Sequence, residues 1–184
     1  MPRYVAFLRA INVGGHNTKM TELRRLFEAL GFSGVEPFIA SGNVIFETNS
    51  RAIARLEEKI ETCLSKALGY QVSAFVRTDA EVAAIAQFKP FQDSAVKTAR
   101  ALCIGFVAAP LGHESEHAVM GFKTAIDDFH VDGREIYWLC RKKQSESTFS
   151  NAALERRLGI RATFRGIKTI HRLAAKYPPL PKLS

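Results

Sequence analysis

Tyr4-Val5-Ala6-Phe7-Leu8-Arg9-Ala10-Ile11-Asn12-Val13-Gly14-Gly15-His16-Asn17-Thr18-Lys19 is the stretch from which the fold is read. Residues 4–8 form an apolar run of strand length that Arg9 closes, and an Asn/Gly-rich loop follows. Met20, Leu23, Leu26, Phe27 and Leu30 then recur at helical spacing, which places a helix start near Thr18 or Thr21. Gly31 suits the left-handed position just past the helix.

Working outward, residues 35–40 and 44–48 read as a strand pair across Ser41-Gly42-Asn43. Ile53, Leu56, Ile60, Cys63, Leu64 and Ala67 share one face of a second helix that Gly69 stops, and residues 72–77 read as a fourth strand. The second half opens with Thr78-Asp79-Ala80-Glu81, a capping-box pattern ahead of Val82 and Ile85. Lys89-Pro90-Phe91 ends that helix, and a polar link runs to about Thr98. A strand over residues 101–109 is ended by Pro110, and a short helix is expected within residues 113–122. Phe129-His130-Val131 and residues 135–141 flank Asp132-Gly133, a two-residue hairpin signal. Ser150 or Asn151 caps a helix holding Leu154 and Leu158, with Gly159 closing it. Residues 161–165 read as a short strand, and residues 167–176 as a final helix before a Pro-rich tail.

Each half therefore has the order β-α-β-β-α-β, with extra helices in the second half. The expected fold is α+β: two ferredoxin-like halves with antiparallel sheets, over residues 1–78 and 79–184, forming one compact unit. Right-handed crossovers give strand order 4-1-3-2, in which strands one and two run the same way. The loop after strand one and the turn between strands two and three then emerge at one end. This places residues 12–19 beside Ser41-Gly42-Asn43, with Gly69-Tyr70 at the same end.

That end is the candidate site. Gly14 and Gly15 let the backbone approach a ligand closely, and the loop offers N–H groups just before a helix N-terminus, where the dipole favours an anion. Arg9, Lys19 and the amides of Asn12, Asn17 and Asn43 add donors, and Ser41 lies in the facing turn. Neither the Gly-x4-Gly-Lys-Ser/Thr pattern nor Gly-x-Gly-x-x-Gly is present. The competing reading is an ordinary strand-to-helix turn with asparagines in turn conformations.

The other motifs carry less. His113-Glu114-Ser115-Glu116-His117 matches H-E-x-x-H, but the spacer is polar. Met120 and Lys123 stand where a third-ligand pattern needs Gly and His, and Glu135 reads as a hairpin residue, so no metal is expected. Cys63, Cys103 and Cys140 are dispersed in apolar contexts and read as buried reduced thiols. Asp127-Asp128 reads as a turn pair, His171 as a surface residue, and at least one of Tyr137 and Trp138 as core. No nucleophile and no cofactor fingerprint emerges, so the sequence assigns no reaction.

Composition sets the frame. An apolar content of 47% with 24% charged residues is that of a globular protein in 184 residues, and no apolar run spans a bilayer. With no signal-peptide pattern at the start and no disulfide frame, the expected location is cytosolic. The net charge of +8 is segregated: residues 1–140 hold 15 Lys/Arg and 16 Asp/Glu, whereas residues 141–184 hold 11 Lys/Arg against Glu146 and Glu155 alone. Such segregation favours a polyanionic partner, with Arg157, Arg161, Arg165, Lys168 and Arg172 as the candidate contacts. Arg165, Lys168, Arg172 and Lys176 are spaced to share one face of a helix. Few aromatics interleave with them, so base stacking is weakly supported.

Phe7-Leu8-Arg9-Ala10-Ile11-Asn12-Val13-Gly14-Gly15, Ser41-Gly42-Asn43-Val44-Ile45-Phe46, Val76-Arg77-Thr78 and Gly133-Arg134-Glu135-Ile136-Tyr137 together resemble the family catalogued as domain of unknown function 1697. The resemblance covers nearly the whole chain and implies two ferredoxin-like halves, with no established chemistry. It also implies glycine where Ala10 stands, and a Thr-Thr-Arg-Asn-Trp-x-Thr pattern near the end. Thr163, Arg165 and Thr169 match that pattern, while Phe164, Gly166 and Ile167 depart from it. The leading functional expectation is an anion- or phosphate-binding protein whose basic C-terminal quarter takes nucleic acid. The alternatives are an enzyme acting on a small anionic metabolite at the same loop end, with Asn12, Asn43 and Lys19 as orienting groups, and an assembly role through an edge strand.

Overall fold

A computed structural model of the chain describes residues 1–12, 15–39 and 42–181. Its contacts divide the chain into two units, Met1–Ile85 with Arg172–Ser184, and Ala86–His171.

The first unit holds β1 (Arg3–Arg9), α1 (Met20–Ala29), β2 (Ser33–Pro37), β3 (Asn43–Glu47), α2 (Ile53–Leu68), β4 (Ser73–Thr78) and the start of α3 (Asp79–Gln87). Its four strands lie in the order β2-β3-β1-β4, all neighbours antiparallel, which is the expected 4-1-3-2 arrangement. Period-two alternation puts Tyr4, Ala6 and Leu8 into one core cluster with Leu23, Phe27 and Ile60 of the helices. Burying each of the Leu, Ile and Phe side chains among these stabilises the fold by about 1.5–3 kcal/mol. Val5 and Phe7 on the alternate face are buried as well, so the apolar run of β1 is covered on both sides.

Several boundaries move. α1 begins at Met20 with Lys19 in the N-cap place, and Met20 is exposed rather than on the buried stripe. β2 ends at Pro37, short of the expected residue 40, because Ile39 turns into a left-handed conformation (φ 48°) and the Phe38 N–H donates to the Asn43 carbonyl at 2.9 Å. The capping box at Thr78 forms as expected, with the Thr78 N–H donating to Glu81 at 2.8 Å and the Glu81 N–H to Thr78 Oγ1 at 3.1 Å.

The second unit contains α4 (Asp93–Thr98), β5 (Ala101–Phe106), α5 (His113–Met120), β6 (Asp127–Asp132), β7 (Glu135–Cys140), a 3₁₀ turn (Gln144–Glu146), α6 (Asn151–Leu158), β8 (Thr163–Gly166) and the start of α7 (Ile167–Lys176). Its sheet order, β6-β7-β5-β8, repeats that of the first. Residues 93–98, expected as part of a polar link, form α4, which buries no side chain. β5 stops at Phe106, three residues short of the expected end.

The β6–β7 hairpin closes at Asp132↔Glu135, so its turn residues are Gly133 and Arg134, one step beyond the expected pair. Gly133 supplies the positive φ (58°) that this turn needs at its first position. Asp127 and Asp128 are not a turn pair; they are the first two residues of β6, and Asp127 is fully buried. Its carboxylate accepts from Trp138 Nε1 (2.8 Å), Ser147 Oγ (2.8 Å) and Thr124 Oγ1 (3.0 Å). Tyr137 and Trp138 are both buried. Ser150 caps α6 by accepting the Ala153 N–H at 3.1 Å.

Candidate functional site

β1 pairs with β3 so that Phe7 faces Asn43, and the Leu8 N–H donates to the Gly42 carbonyl at 2.8 Å. β1 and β2 are both antiparallel to β3, so they run the same way. The exit of β1 and the β2–β3 connection therefore share one end of the first unit's sheet. Gly14 and Ser41, two of the expected ligand residues, lie outside the described residues.

Among the described residues of this rim, the polar groups are tied by a short network. Asn12 Oδ1 accepts the Thr18 N–H at 3.0 Å, and Thr18 Oγ1 donates to the Ile11 carbonyl at 3.4 Å. The Tyr70 hydroxyl donates to the same carbonyl at 2.9 Å and lies 3.2 Å from Thr18 Oγ1. Gly69, left-handed at φ 79°, ends α2 and delivers Tyr70 to the rim. The His16 ring stacks on Tyr70, with centroids 3.8 Å apart and planes 19° from parallel. Thr18 and Tyr70 are thus the organising residues. Sequence spacing offered no signal for Thr18 beyond its place before the helix.

Of the remaining expected residues, Asn12, Gly15, Asn17 and Lys19 are exposed and Arg9 is half-buried at the end of β1. Asn43 has a different role. It is 2% exposed and its Nδ2 donates to the carbonyls of Phe38 (3.0 Å) and Ile39 (3.1 Å), so this side chain braces its own turn. The Lys19 side chain does not cap α1, and the first amides of any helix lack intrahelical partners. Among the described residues, Ala10 (φ 68°) and Ile39 (φ 48°) adopt positive φ without being glycine. For a β-branched residue such as Ile39 this is a genuine outlier, and strain of this kind gathers at functional sites.

The basic C-terminal quarter is less uniform than its composition. Arg157 and Lys168 are exposed, on α6 and in the first turn of α7. Arg161 is exposed, with Nη1 3.9 Å from Glu155 Oε2. Arg165 does not continue the helix face of Lys168, because it sits on β8. Its Nη1 donates to Thr163 Oγ1 at 2.8 Å and to the Phe164 carbonyl at 2.9 Å. Burial lowers the guanidinium to about 10, which leaves it charged at neutral pH. Arg172 belongs to the first unit, where its guanidinium lies over the Phe38 ring at 5.6 Å.

His113 and His117 stand one turn apart on α5, both exposed. Among the described residues no three His, Cys, Asp or Glu side chains are grouped to hold a metal ion. Cys103 and Cys140 are buried, and burial pushes the Cys103 thiol up to about 11, while Cys63 is only half-buried. Among the described residues no helix is long and apolar enough to cross a membrane.

Two ferredoxin-like halves with a strained loop rim in the first define an α+β protein of duplicated topology. The chain belongs to the protein family of unknown function DUF1697, whose model matches residues 1–137. That match ends at Tyr137, so the Thr163–Thr169 segment lies beyond it. In structure the chain is similar to a conserved bacterial protein from Streptococcus pneumoniae, with a TM-score of 0.75 and 24% identity over 95% of this chain and 97% of that one. At that identity the likeness speaks for the fold alone. No curated protein matches the chain.

Proposed function

We propose that the loop end of the first unit binds a small anion, with phosphate-bearing molecules as the ligand class. The observation that carries this reading is a start of α1 to which the N-cap residue Lys19 gives no side-chain cap, with Lys19 itself exposed, on a rim held in strained backbone by Ala10 and Ile39. Amides at a helix start, an exposed cation and a glycine of φ 88° at Gly15 are what close approach of a phosphate requires. Asn12 contributes by fixing the loop through Thr18, and Tyr70 locks the same carbonyl from the other side. In this reading Asn43 shapes the rim and leaves ligand contact to its neighbours.

The test is an amide-resolved NMR titration of the full chain with inorganic phosphate in chloride buffer. Saturable shifts at Gly15, Lys19, Met20 and Thr21, weakened by Lys19→Ala, are expected. Shifts absent from those four amides, or unchanged by Lys19→Ala, end the proposal.

A second reading, nucleic-acid binding, is favoured by one observation: Arg156, Arg157, Arg161 and Lys168 are exposed in a segment of +9 net charge. Filter binding to RNA and DNA across salt concentrations tests it; no retention at low salt removes it.

A further inference from the structure

The second unit contains a cavity of about 440 Å³, lined by Arg100, Cys103, Gln144, Phe164, Arg165 and Lys168 together with neighbouring backbone. We propose that this cavity, at the junction of β8 and α7, is a binding site for a small phosphate-bearing molecule, separate from the loop end of the first unit.

The topology explains why space exists there. β8 pairs with β5 only from Phe106↔Thr163 to Cys103↔Gly166, so Ala101 and Leu102 run on past the end of β8. The chain leaves β8 at Gly166 and enters α7 at once at Ile167. The gap left beside β5 is closed by the 3₁₀ turn, whose Gln144 donates Nε2 to Cys103 Sγ at 3.2 Å. Phe164 forms one wall. Its ring lies across Gly105 so closely that a Cβ there would meet it at 2.6 Å.

The charge of the lining is one-sided. Arg100 and Lys168 contribute two exposed cations, and no carboxylate is among the described residues that line the cavity. Gln144 adds a neutral amide. Arg165, next to Phe164 on β8, points its side chain to the opposite face of the sheet, where it bonds Thr163 Oγ1 and the Phe164 carbonyl, so it lines the cavity through its backbone. The guanidinium of Arg100 offers the planar fork that matches phosphate oxygens, and the Lys168 ammonium adds a second donor. The volume falls in the range of small-molecule pockets, and its mouth is open to solvent at Arg100, Gln144 and Lys168. Cys103 stays protonated at neutral pH and serves as wall, with no nucleophilic part.

Gly166 supplies a clean test, because a Cβ built there meets nothing within 4 Å. Gly166→Asp places a carboxylate at the cavity without displacing packed atoms, and Gly166→Asn is its neutral isostere. The full chain and both variants are titrated with inorganic pyrophosphate in chloride buffer, following the amides of Gly166, Ile167 and Lys168 by NMR. Saturable shifts are expected in the wild type, retained in Gly166→Asn and weakened about tenfold or more in Gly166→Asp. Lys168→Ala should weaken binding too, which keeps the test decisive if an aspartate impairs folding. Lys19→Ala should leave these shifts unchanged even if it abolishes phosphate binding at the first unit. The proposal falls if those amides do not respond, if Gly166→Asp binds like Gly166→Asn, or if only an oligonucleotide shifts them.

Discussion

Asp127→Ala should be among the most damaging single changes in the second unit. The carboxylate has 0% exposure and accepts from the Trp138 indole, the Ser147 hydroxyl and the Thr124 hydroxyl, joining β6, β7 and the segment before α6. Removing it leaves the Trp138 N–H unpaired in a site that water does not reach, a loss of about 1–3 kcal/mol by itself. Hydrogen bonds to a charged acceptor are worth about 1.5–3 kcal/mol each, and the two hydroxyls recover part of theirs by rotating. The net cost is about 4 kcal/mol. Asp127→Asn keeps an acceptor for Trp138 and costs about 1–2 kcal/mol.

The chain has one tryptophan, so urea unfolding followed by Trp138 emission reports this site directly. Acid adds an independent signature. Burial, the largest single influence, raises the pKa of Asp127, but the bonds from Trp138, Ser147, Thr124 and Cys140 together outweigh it and the net shift is downward. A carboxyl whose folded pKa lies below its unfolded value contributes stability in full above the unfolded pKa, about 4. That contribution fades as pH falls through the folded value. The gap between wild type and Asp127→Asn should therefore be constant above about pH 5 and narrow below about pH 4. A gap that does not change with pH, or an alanine cost within about 0.5 kcal/mol, as for a surface position, would refute this reasoning.

Ala10→Gly should stabilise the chain by about 0.5–1 kcal/mol, because a left-handed alanine costs about 1–2 kcal/mol and glycine returns part of that as chain entropy; a melting temperature lowered by this change contradicts the strain at φ 68°. Gly105→Ala should cost about 1–3 kcal/mol, since the new methyl meets the Phe164 ring at 2.6 Å. Phe164→Leu in the same chain should recover much of that loss in the urea midpoint, and no recovery would point to a clash elsewhere.

The two sheets were legible because β1 is an apolar run of strand length, the period of 3.6 survives in α1 and α2, and α1 and α2 are each followed by a stop glycine, Gly31 and Gly69. Residues 93–98 were not legible as a helix, because α4 has only six residues and buries none of them. Arg165 misled for a different reason. Spacings of three and four join it to Lys168, Arg172 and Lys176, yet those spacings have meaning only within one helix, and the chain is still strand until Gly166. Asp127 and Asn43 misled alike, since a short polar residue near a turn reads as solvent-facing. Whether it faces water or braces the fold depends on partners that the folded backbone brings to it, Trp138 of the next strand for Asp127 and the Phe38 and Ile39 carbonyls of its own turn for Asn43.

That dependence separates the parts of the candidate site that topology fixes from the parts that side chains decide. Strand order alone requires the exit of β1 and the β2–β3 connection to share an end, and the Leu8-to-Gly42 hydrogen bond at 2.8 Å meets that requirement. Which polar groups then face outward depends on where local hydrogen bonds are already spent. Asn43 spends its amide on Phe38 and Ile39, and Asn12 spends one oxygen on Thr18. In the proposed reading, contact with an anion therefore falls to backbone amides, which any sequence with the same turn geometry presents, and to the Lys19 side chain. If the proposed binding holds, loss of Lys19 should weaken phosphate affinity directly, whereas exchange of Asn12 or Asn43 should act only through the backbone that each braces, as read by the same amide titration.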